Sequence, residues 1–408
     1  MTINYITGHA GTGKSTALVK HLKSLKPSQT LMMAPTHKAL KVVSDRLDDD
    51  SYNFATIHSA LGWIPGVNEE AENEGHVDIT RKLDKNLDGD GITNIIIDEF
   101  SMMSEDMLYD LTGKVDELTN YDSDHITLTL YGDPYQLPPV KATPIFTDPA
   151  TTTHLTTQYR GESLDVVNLF TKFVNYLDGS NTMDLSTPAS ENVHYVKDFK
   201  GFKRGDRALA YTNDMVGLLN EQIAEYLGFH GYDGIEVQIG NLMETVIVEK
   251  MIHPTESELN QYYMEGRLRL QDMQINAKYL EYTLYQLWDS DIIEFALGTD
   301  NDIYAVIPGI GNANRVRKEV KNAAANAAKG SSDRSRAWSL YYTINRAFTM
   351  DYTFASTVHK SQGSEFDTVW IHKADILKAI GPTRNYQQYA RMMYVAMSRA
   401  KKTLKIFE

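Results

Sequence analysis

Short apolar runs alternate with amphipathic stretches through the first half of the chain, which is the pattern of strands and helices in a parallel sheet. Tyr5-Ile6-Thr7 ends one strand, and Leu18, Val19, Leu22 and Leu25 then mark one helical face. Leu31-Met32-Met33-Ala34, Ile95-Ile96-Ile97 and Ile126-Thr127-Leu128-Thr129-Leu130 predict three further strands. A second parallel-looking set begins near Val193 and includes Arg207-Ala208-Leu209-Ala210-Tyr211 and Thr368-Val369-Trp370-Ile371. Two stretches break the rhythm. Between Gly62 and Gly91 the composition turns to Gly, Asn and acid around Glu69-Glu70-Ala71-Glu72-Asn73-Glu74, as in a loop inserted into a sheet. From about Gly231 to Phe348 a longer insertion carries Val246-Ile247-Val248 and Ile303-Tyr304-Ala305-Val306-Ile307, which predict antiparallel strands, and a polar, alanine-rich helical stretch from Asn314. No repeat occurs at solenoid or propeller spacing.

Composition narrows the class. A chain of 408 residues predicts two or three domains, and 42% hydrophobic with 23% charged residues excludes a disordered or fibrous protein. No apolar run approaches the ~18 residues of a membrane helix, and the N-terminus lacks the regions of a signal peptide. There are no cysteines, which removes disulfides, thiol catalysis, iron–sulfur clusters and cysteine zinc sites and fits a cytoplasmic setting. The net charge of −14 repels polyanions, so any nucleic acid must find a local basic groove. Residues 314–349 are the exception, carrying eight Lys/Arg against two acids, or +6, and leaving −20 on the remainder. Trp338, Tyr341, Tyr342 and Phe348 recur there at near-helical spacing and are expected to pack this arm down. Arg315, Arg317, Lys318 and Lys321 are then expected to face outward.

The chemistry begins at Gly8-His9-Ala10-Gly11-Thr12-Gly13-Lys14-Ser15, a complete G-x-x-x-x-G-K-S between a strand and a helix. Glycines at Gly8, Gly11 and Gly13 let backbone N–H groups curl around phosphates, and the helix N-terminus adds its positive end. Lys14 reaches the β/γ-phosphates, Ser15 ligates Mg²⁺, and Thr12 and Thr16 flank them. Asp98-Glu99 follows the triple-Ile strand, where a carboxylate points into the crevice at the carboxyl ends of a parallel sheet. There Asp98 can hold Mg²⁺ and Glu99 can take a proton from an attacking water. No Asn-Lys-x-Asp and no Leu-Ser-Gly-Gly-Gln occurs, which argues against small GTPases and transporter ATPases.

An ordered set of motifs is more specific. It comprises Ala34-Pro35-Thr36-His37-Lys38-Ala39, Thr56-Ile57-His58-Ser59, Asp98 to Met102, Gly132-Asp133-Pro134-Tyr135-Gln136-Leu137-Pro138-Pro139 and Leu155 to Arg160. Ala210-Tyr211-Thr212-Asn213, Ser356 to Glu365 and Tyr394-Val395-Ala396-Met397-Ser398-Arg399-Ala400 follow. The set resembles superfamily 1 helicases, most of all the RecD-like branch that includes the small phage helicase Dda. The resemblance implies a monomeric α/β motor of two RecA-like domains, 1–62 with 92–150 and 151–230 with 349–408, with ATP bound between them. The insertion at 63–91 is then a strand-separating pin with Trp63 and Ile64 as its stem. The insertion at 231–348 is then an SH3-like barrel with a helical arm.

By the same resemblance Gln136 senses the γ-phosphate, Arg160 and Arg399 reach it as arginine fingers, and Gly363 and Glu365 lie near the phosphates and ribose. Pro35, Thr36, His37, Thr56, His58, Tyr211, Asn213, His359 and Lys360 line a single-strand track. The implied cofactors are ATP and Mg²⁺, and the implied partners are single-stranded, forked or branched DNA and phage replication proteins, with 5′→3′ travel. The family's glutamine before the P-loop is missing, which leaves nucleotide selectivity open. Two alternatives stand beside the DNA helicase: an RNA-directed helicase of the same superfamily, and a nucleotide-gated DNA clamp that does not unwind.

Overall fold

The computed structural model describes residues 1–61, 63–66, 78–81, 92–118, 126–139, 142–145, 147, 149–159, 163–179, 186–240, 245–270, 277–290 and 292–407. The chain divides into two compact units. The first is Met1–Asn192 with Gln362–Glu365 and Ile380–Lys402. The second is Val193–Ser361 with Phe366–Ala379 and Thr403–Glu408.

The first unit is built on a six-stranded parallel sheet. Its strands are β1 (Thr2–Gly8), β2 (Thr30–Ala34), β3 (Asn53–Thr56), β6 (Asn94–Ile97), β7 (Thr127–Gly132) and β8 (Thr152–Leu155), in the order β3-β2-β6-β7-β1-β8. Helices α1 (Lys14–Leu22), α2 (His37–Leu47), α3 (Ile57–Leu61) and α4 (Glu105–Leu118) cover it. Successive strand residues face opposite sides, so a sheet covered on both faces needs unbroken apolar runs. Leu31, Met33, Ile95, Ile97, Leu128 and Leu130 pack with α3 and α4 residues such as Ile57, Leu61 and Leu111. Met32, Ala34 and Ile96 pack instead on Leu18, Leu22, Leu40, Val43 and Leu47 of α1 and α2. Helix α1 stops at Leu22, so Leu25 packs against this cluster from beyond the helix.

Strand β8 pairs with β1, so the first sheet runs past the division expected at residue 150. Its sequence, Thr-Thr-His-Leu, has no apolar run to announce it. Helices α5 (Leu164–Leu177) and α12 (Tyr386–Ser398) also lie in the first unit, each in a segment expected in the second domain. Between α3 and β6, β4 (Trp63–Gly66) and β5 (Asp78–Arg81) form an antiparallel hairpin that pairs Trp63 with Arg81 and Ile64 with Thr80. The acidic stretch Glu69–Glu74 lies outside the described residues.

The second unit carries a five-stranded sheet of β9 (Val193–Val196), β10 (Arg207–Ala210), β17 (Ala355–Thr357), β18 (Phe366–His372) and β19 (Ala400–Phe407), in the order β17-β10-β18-β19-β9. Helix α6 (Asn213–Tyr226) packs on it, and the short α11 (Lys373–Ile376) follows β18. Trp370 is fully buried among Phe199, Phe202 and Phe407, and its indole N–H donates to Asp206 at 3.0 Å.

The long insertion is a barrel. Strands β11 (Ile235–Ile239), β12 (Thr245–Ile252), β14 (Glu294–Gly298), β15 (Ile303–Pro308) and β16 (Phe348–Tyr352) pair in a ring. The β11–β12, β12–β14, β14–β15 and β11–β16 pairs are antiparallel, whereas β15 and β16 close the ring in parallel. Closure in parallel needs a long crossover, which α9 (Ile310–Asn326) and α10 (Ser332–Arg346) supply. Helices α7 (Glu256–Met264) and α8 (Ala277–Trp288) and the short β13 (Leu268–Arg269) complete this region.

The arm departs from expectation in two ways. Arg317 does not face outward, because its guanidinium donates to Thr349 Oγ1 and to the Ala347 carbonyl, both at 2.8 Å. It therefore ties α9 to the barrel strand β16. Phe348 is a β16 residue rather than part of a helical stripe, and Tyr342 is exposed rather than packed down.

Candidate active site and nucleic-acid edge

The P-loop connects β1 to α1. Gly11 and Gly13 take left-handed backbone angles of φ 84 and 81, and Gly13 caps α1. A Cβ at Gly8 would lie 2.4 Å from Thr12 Oγ1 and 2.8 Å from the Leu155 carbonyl, so close approach requires glycine. Thr12 Oγ1 donates to the His9 carbonyl at 2.8 Å, which tightens the turn. The Lys14 ammonium bridges the Gly8 and His9 carbonyls at 2.7 and 2.9 Å and stands 3.9 Å from Asp133 Oδ2. Ser15 and Thr16 open α1 behind it. From the far side the Tyr159 amide donates to the Gly11 carbonyl at 2.9 Å, and Gln158 Nε2 to the Ala10 carbonyl at 2.9 Å.

Two carboxylates close the other wall. Asp98 follows β6, and its Oδ1 accepts the Glu99 amide at 3.0 Å. Glu99 has φ 54, a left-handed angle that a non-glycine residue holds only at a cost of order 1 kcal/mol. Burial, followed by the charge of Glu99, pushes the Asp98 carboxyl up to about 7. Burial likewise raises Glu99, while the charges of Lys14 and Arg399 and a hydrogen bond from Gln136 pull it back. Glu99 Oε2 is buried with no hydrogen-bond partner.

Helix α12 supplies the third wall. Arg391 donates to the Pro134 and Gln136 carbonyls at 2.5 and 2.9 Å. The Tyr394 hydroxyl accepts the Ala10 amide at 2.8 Å and donates to Asp133 Oδ2. Arg399 is 4% exposed, and its guanidinium donates to the Ser364 carbonyl at 3.3 Å and to Ser398 Oγ at 3.0 Å. Gln362 Nε2 donates to Gln136 Oε1 at 3.3 Å, beside Gly363 at φ 73 and Glu365. Lys14, Asp98, Glu99, Gln136 and Arg399 thus meet in one unit, together with Asp133, Gln362, Arg391 and Tyr394, for which the sequence suggested no role. Asp133 carried a usable signal, because it ends the apolar strand β7 as Asp98 ends β6. Arg160 lies outside the described residues, as does the side chain of His37.

The chemistry fits a magnesium-bound polyphosphate. Glycine-loop amides, a helix N-terminus and Lys14 attract phosphate, while Ser15 and Asp98 offer oxygen ligands to a hard cation. Among the described residues no cluster of three or more His, Asp or Glu forms a protein-only metal site.

The cost of this arrangement is measurable. Asp98 keeps its proton to higher pH when folded than when unfolded, so its stabilising contribution is full at low pH and lost as pH rises through about 7. Asp98→Asn keeps the acceptor for the Glu99 amide but carries no charge. In chelator-treated, nucleotide-free protein at pH 8 it should stabilise the fold by about 2 kcal/mol. Thermal melts should show the gap narrowing as pH falls below about 7 and closing only near the unfolded carboxyl value of 3.8, and a gap independent of pH would contradict the burial argument.

The residues expected along a single-strand track fall into two groups, each at the ends of neighbouring parallel strands. In the first unit Ala34 pairs with Thr56, so Pro35 and Thr36 emerge beside Thr56 and His58. Thr36 Oγ1 accepts the Ala39 amide at 3.2 Å and caps α2, while burial lowers the His58 imidazole. In the second unit Ala210 pairs with Thr357, so Tyr211 and Asn213 emerge beside His359 and Lys360. The Tyr211 and His359 rings are 6.5 Å apart, and burial lowers both His359 and Lys360. Asp375 accepts the Tyr211 and Thr212 amides at 2.8 Å each and holds this corner, a role the sequence did not announce.

Residues 1–142 match the sequence model described as an AAA domain, and residues 352–406 match that of a UvrD-like helicase C-terminal domain. An uncharacterized protein of Acanthamoeba polyphaga mimivirus is 34% identical over 153 residues, covering 34% of this chain and 29% of its own length. An uncharacterized protein of Methanocaldococcus jannaschii is 24% identical over 98% of this chain and 36% of its own length. The chain thus spans about a third of the length of these curated relatives. Among solved structures, the crystal structure of Pif1 helicase from Candida albicans has a TM-score of 0.53 at 18% identity, covering 100% of this chain and 91% of that one. It shares the fold.

Proposed function

We propose that this chain, a superfamily 1 helicase by its two sequence models and its fold, is an ATP-hydrolysing motor that travels on single-stranded DNA and unwinds forked or branched duplexes. The observation that carries the reading is the meeting of Lys14, Asp98, Glu99, Gln136 and Arg399 around one P-loop. Lys14 and the P-loop amides hold the phosphates, and Ser15 with Asp98 would hold magnesium. Magnesium, when bound, neutralises phosphate charge. Glu99 receives a proton from the attacking water, for which its raised affinity suits it. Gln136 positions that water and the γ-phosphate, and Arg399 stabilises charge that develops on the transferred group. Gly363 and Glu365 border the nucleotide, as the resemblance implies.

The capped helix starts at Thr36 and Thr212, with His58, His359 and Lys360, suit a phosphate backbone and do not discriminate bases. We assign 5′→3′ travel from the resemblance. Single-stranded DNA should raise ATP turnover at least tenfold. The stimulation should fade with salt, because phosphate contacts release counterions. Side-by-side unwinding of 5′-tailed, 3′-tailed and four-way DNA, with RNA oligomers as competitors in turnover, tests the reading. DNA-stimulated turnover without strand separation would leave a gated clamp, and preferential stimulation by RNA would replace the DNA assignment.

A further inference from the structure

Helix α10 presents a stripe that neither the ATP site nor the strand ends use. Arg334, Trp338, Tyr341, Tyr342 and Asn345 fall on one face at helical spacing. Trp338 contacts Tyr341 edge-on at 5.5 Å and lies at 31° to the Tyr342 ring with centroids 5.9 Å apart. Tyr341 is buried, whereas Trp338 and Tyr342 stay outside the buried cluster that takes Ile344, Ala347 and part of Leu340 from this segment. Tyr342 is 38% exposed. The neighbouring helix α9 sets Lys321 Nζ 5.8 Å from the Tyr341 ring and leaves Lys318 exposed one turn earlier. Arg315 is engaged with Glu319 at 3.3 Å, and Arg317 is committed to β16. Lys321 therefore stands beside the rings, and Lys318 is exposed three residues before it on α9. They lie in a segment of +6 on a chain whose remainder is −20.

We infer that this face is a second contact for single-stranded nucleic acid, with bases stacking on Trp338 and Tyr342 and phosphates held by Lys318 and Lys321. The inference rests on the proposed function, and it adds a site on the barrel's arm to the track at the strand ends. An acidic body excludes polyanions everywhere except at local positive patches, so charge selects the ligand. The exposed ring of Tyr342 and the partly exposed ring of Trp338 beside lysines select unpaired bases over a duplex, whose bases are already stacked. Stacking on ring faces is tolerant of sequence, because every base presents a π face.

Fluorescence anisotropy with labelled oligonucleotides tests it. The series comprises dT strands of about 8 and about 30 nucleotides, a long strand with abasic residues, and a hairpin duplex. Trp338→Ala/Tyr342→Ala should weaken binding of the long dT strand about tenfold and abolish its preference over the abasic strand. Binding of the short strand, duplex binding and basal ATP turnover should hold. Lys318→Gln/Lys321→Gln, which leaves the rings in place, should lower the salt slope by about 1–2. Equal loss on dT and abasic strands, or on single strand and duplex, would show that no base stacks and would overturn the inference. Unchanged binding of the long strand by both double variants would also overturn it. Failure of wild type to bind even the short strand would instead remove the motor reading on which it rests.

Discussion

Lys14→Ala should lower ATP turnover by about 10³-fold while the protein stays folded. The lysine supplies a positive charge where the transferred phosphate accumulates negative charge, and alanine supplies none. Its present partners are two loop carbonyls and a carboxylate 3.9 Å away, so no core contact is lost. Helix α1 is anchored by Leu18 and Leu22, which are fully buried and untouched by the change. Asp133 keeps the Tyr135 amide and the Tyr394 hydroxyl as donors. Steady-state turnover with single-stranded DNA, read beside a thermal melt, is the check. Wild-type turnover in the folded variant would remove the P-loop assignment and everything built on it.

Arg399→Ala should lower kcat by about 10²–10³-fold and change the KM for ATP no more than about threefold. The guanidinium is buried at the end of α12, and its charge already reaches Glu99. A cation placed against charge that forms only in the transition state is felt in kcat, whereas one that grips the ground state is felt in KM. Arg399→Lys should not restore turnover, because an ammonium cannot reproduce the fork that bonds both Ser364 and Ser398. A raised KM with kcat intact would reduce Arg399 to a binding residue. The two variants are separable, since only Lys14→Ala should also weaken nucleotide binding in a non-hydrolysable analogue titration.

By itself the sequence marked the Gly-rich loop between a strand and a helix, both carboxylates after an apolar strand, and two stretches that break the strand–helix rhythm. Each depends on local physics. A Gly-rich turn between a strand and a helix has one common use, and apolar runs such as Ile95–Ile97 must be buried on both faces. The strands at Leu31, Ile95 and Leu128 were legible for that reason. The polar strand β8 and the parallel closure of β15 on β16 were not, because pairing across 40 residues or more leaves no local periodicity.

Only the tertiary structure decided which side chains share a space. Tyr394 lies 384 positions from the P-loop amide it accepts, and Arg391 lies 257 from the Pro134 carbonyl. Arg317 and Lys318 are adjacent in sequence and alike in charge. Yet one bonds β16 and the other faces solvent, because a 100° turn of the helix separates them. Composition fixes the charge of the arm, whereas the packing of α9 on the barrel determines which of its cations remain available.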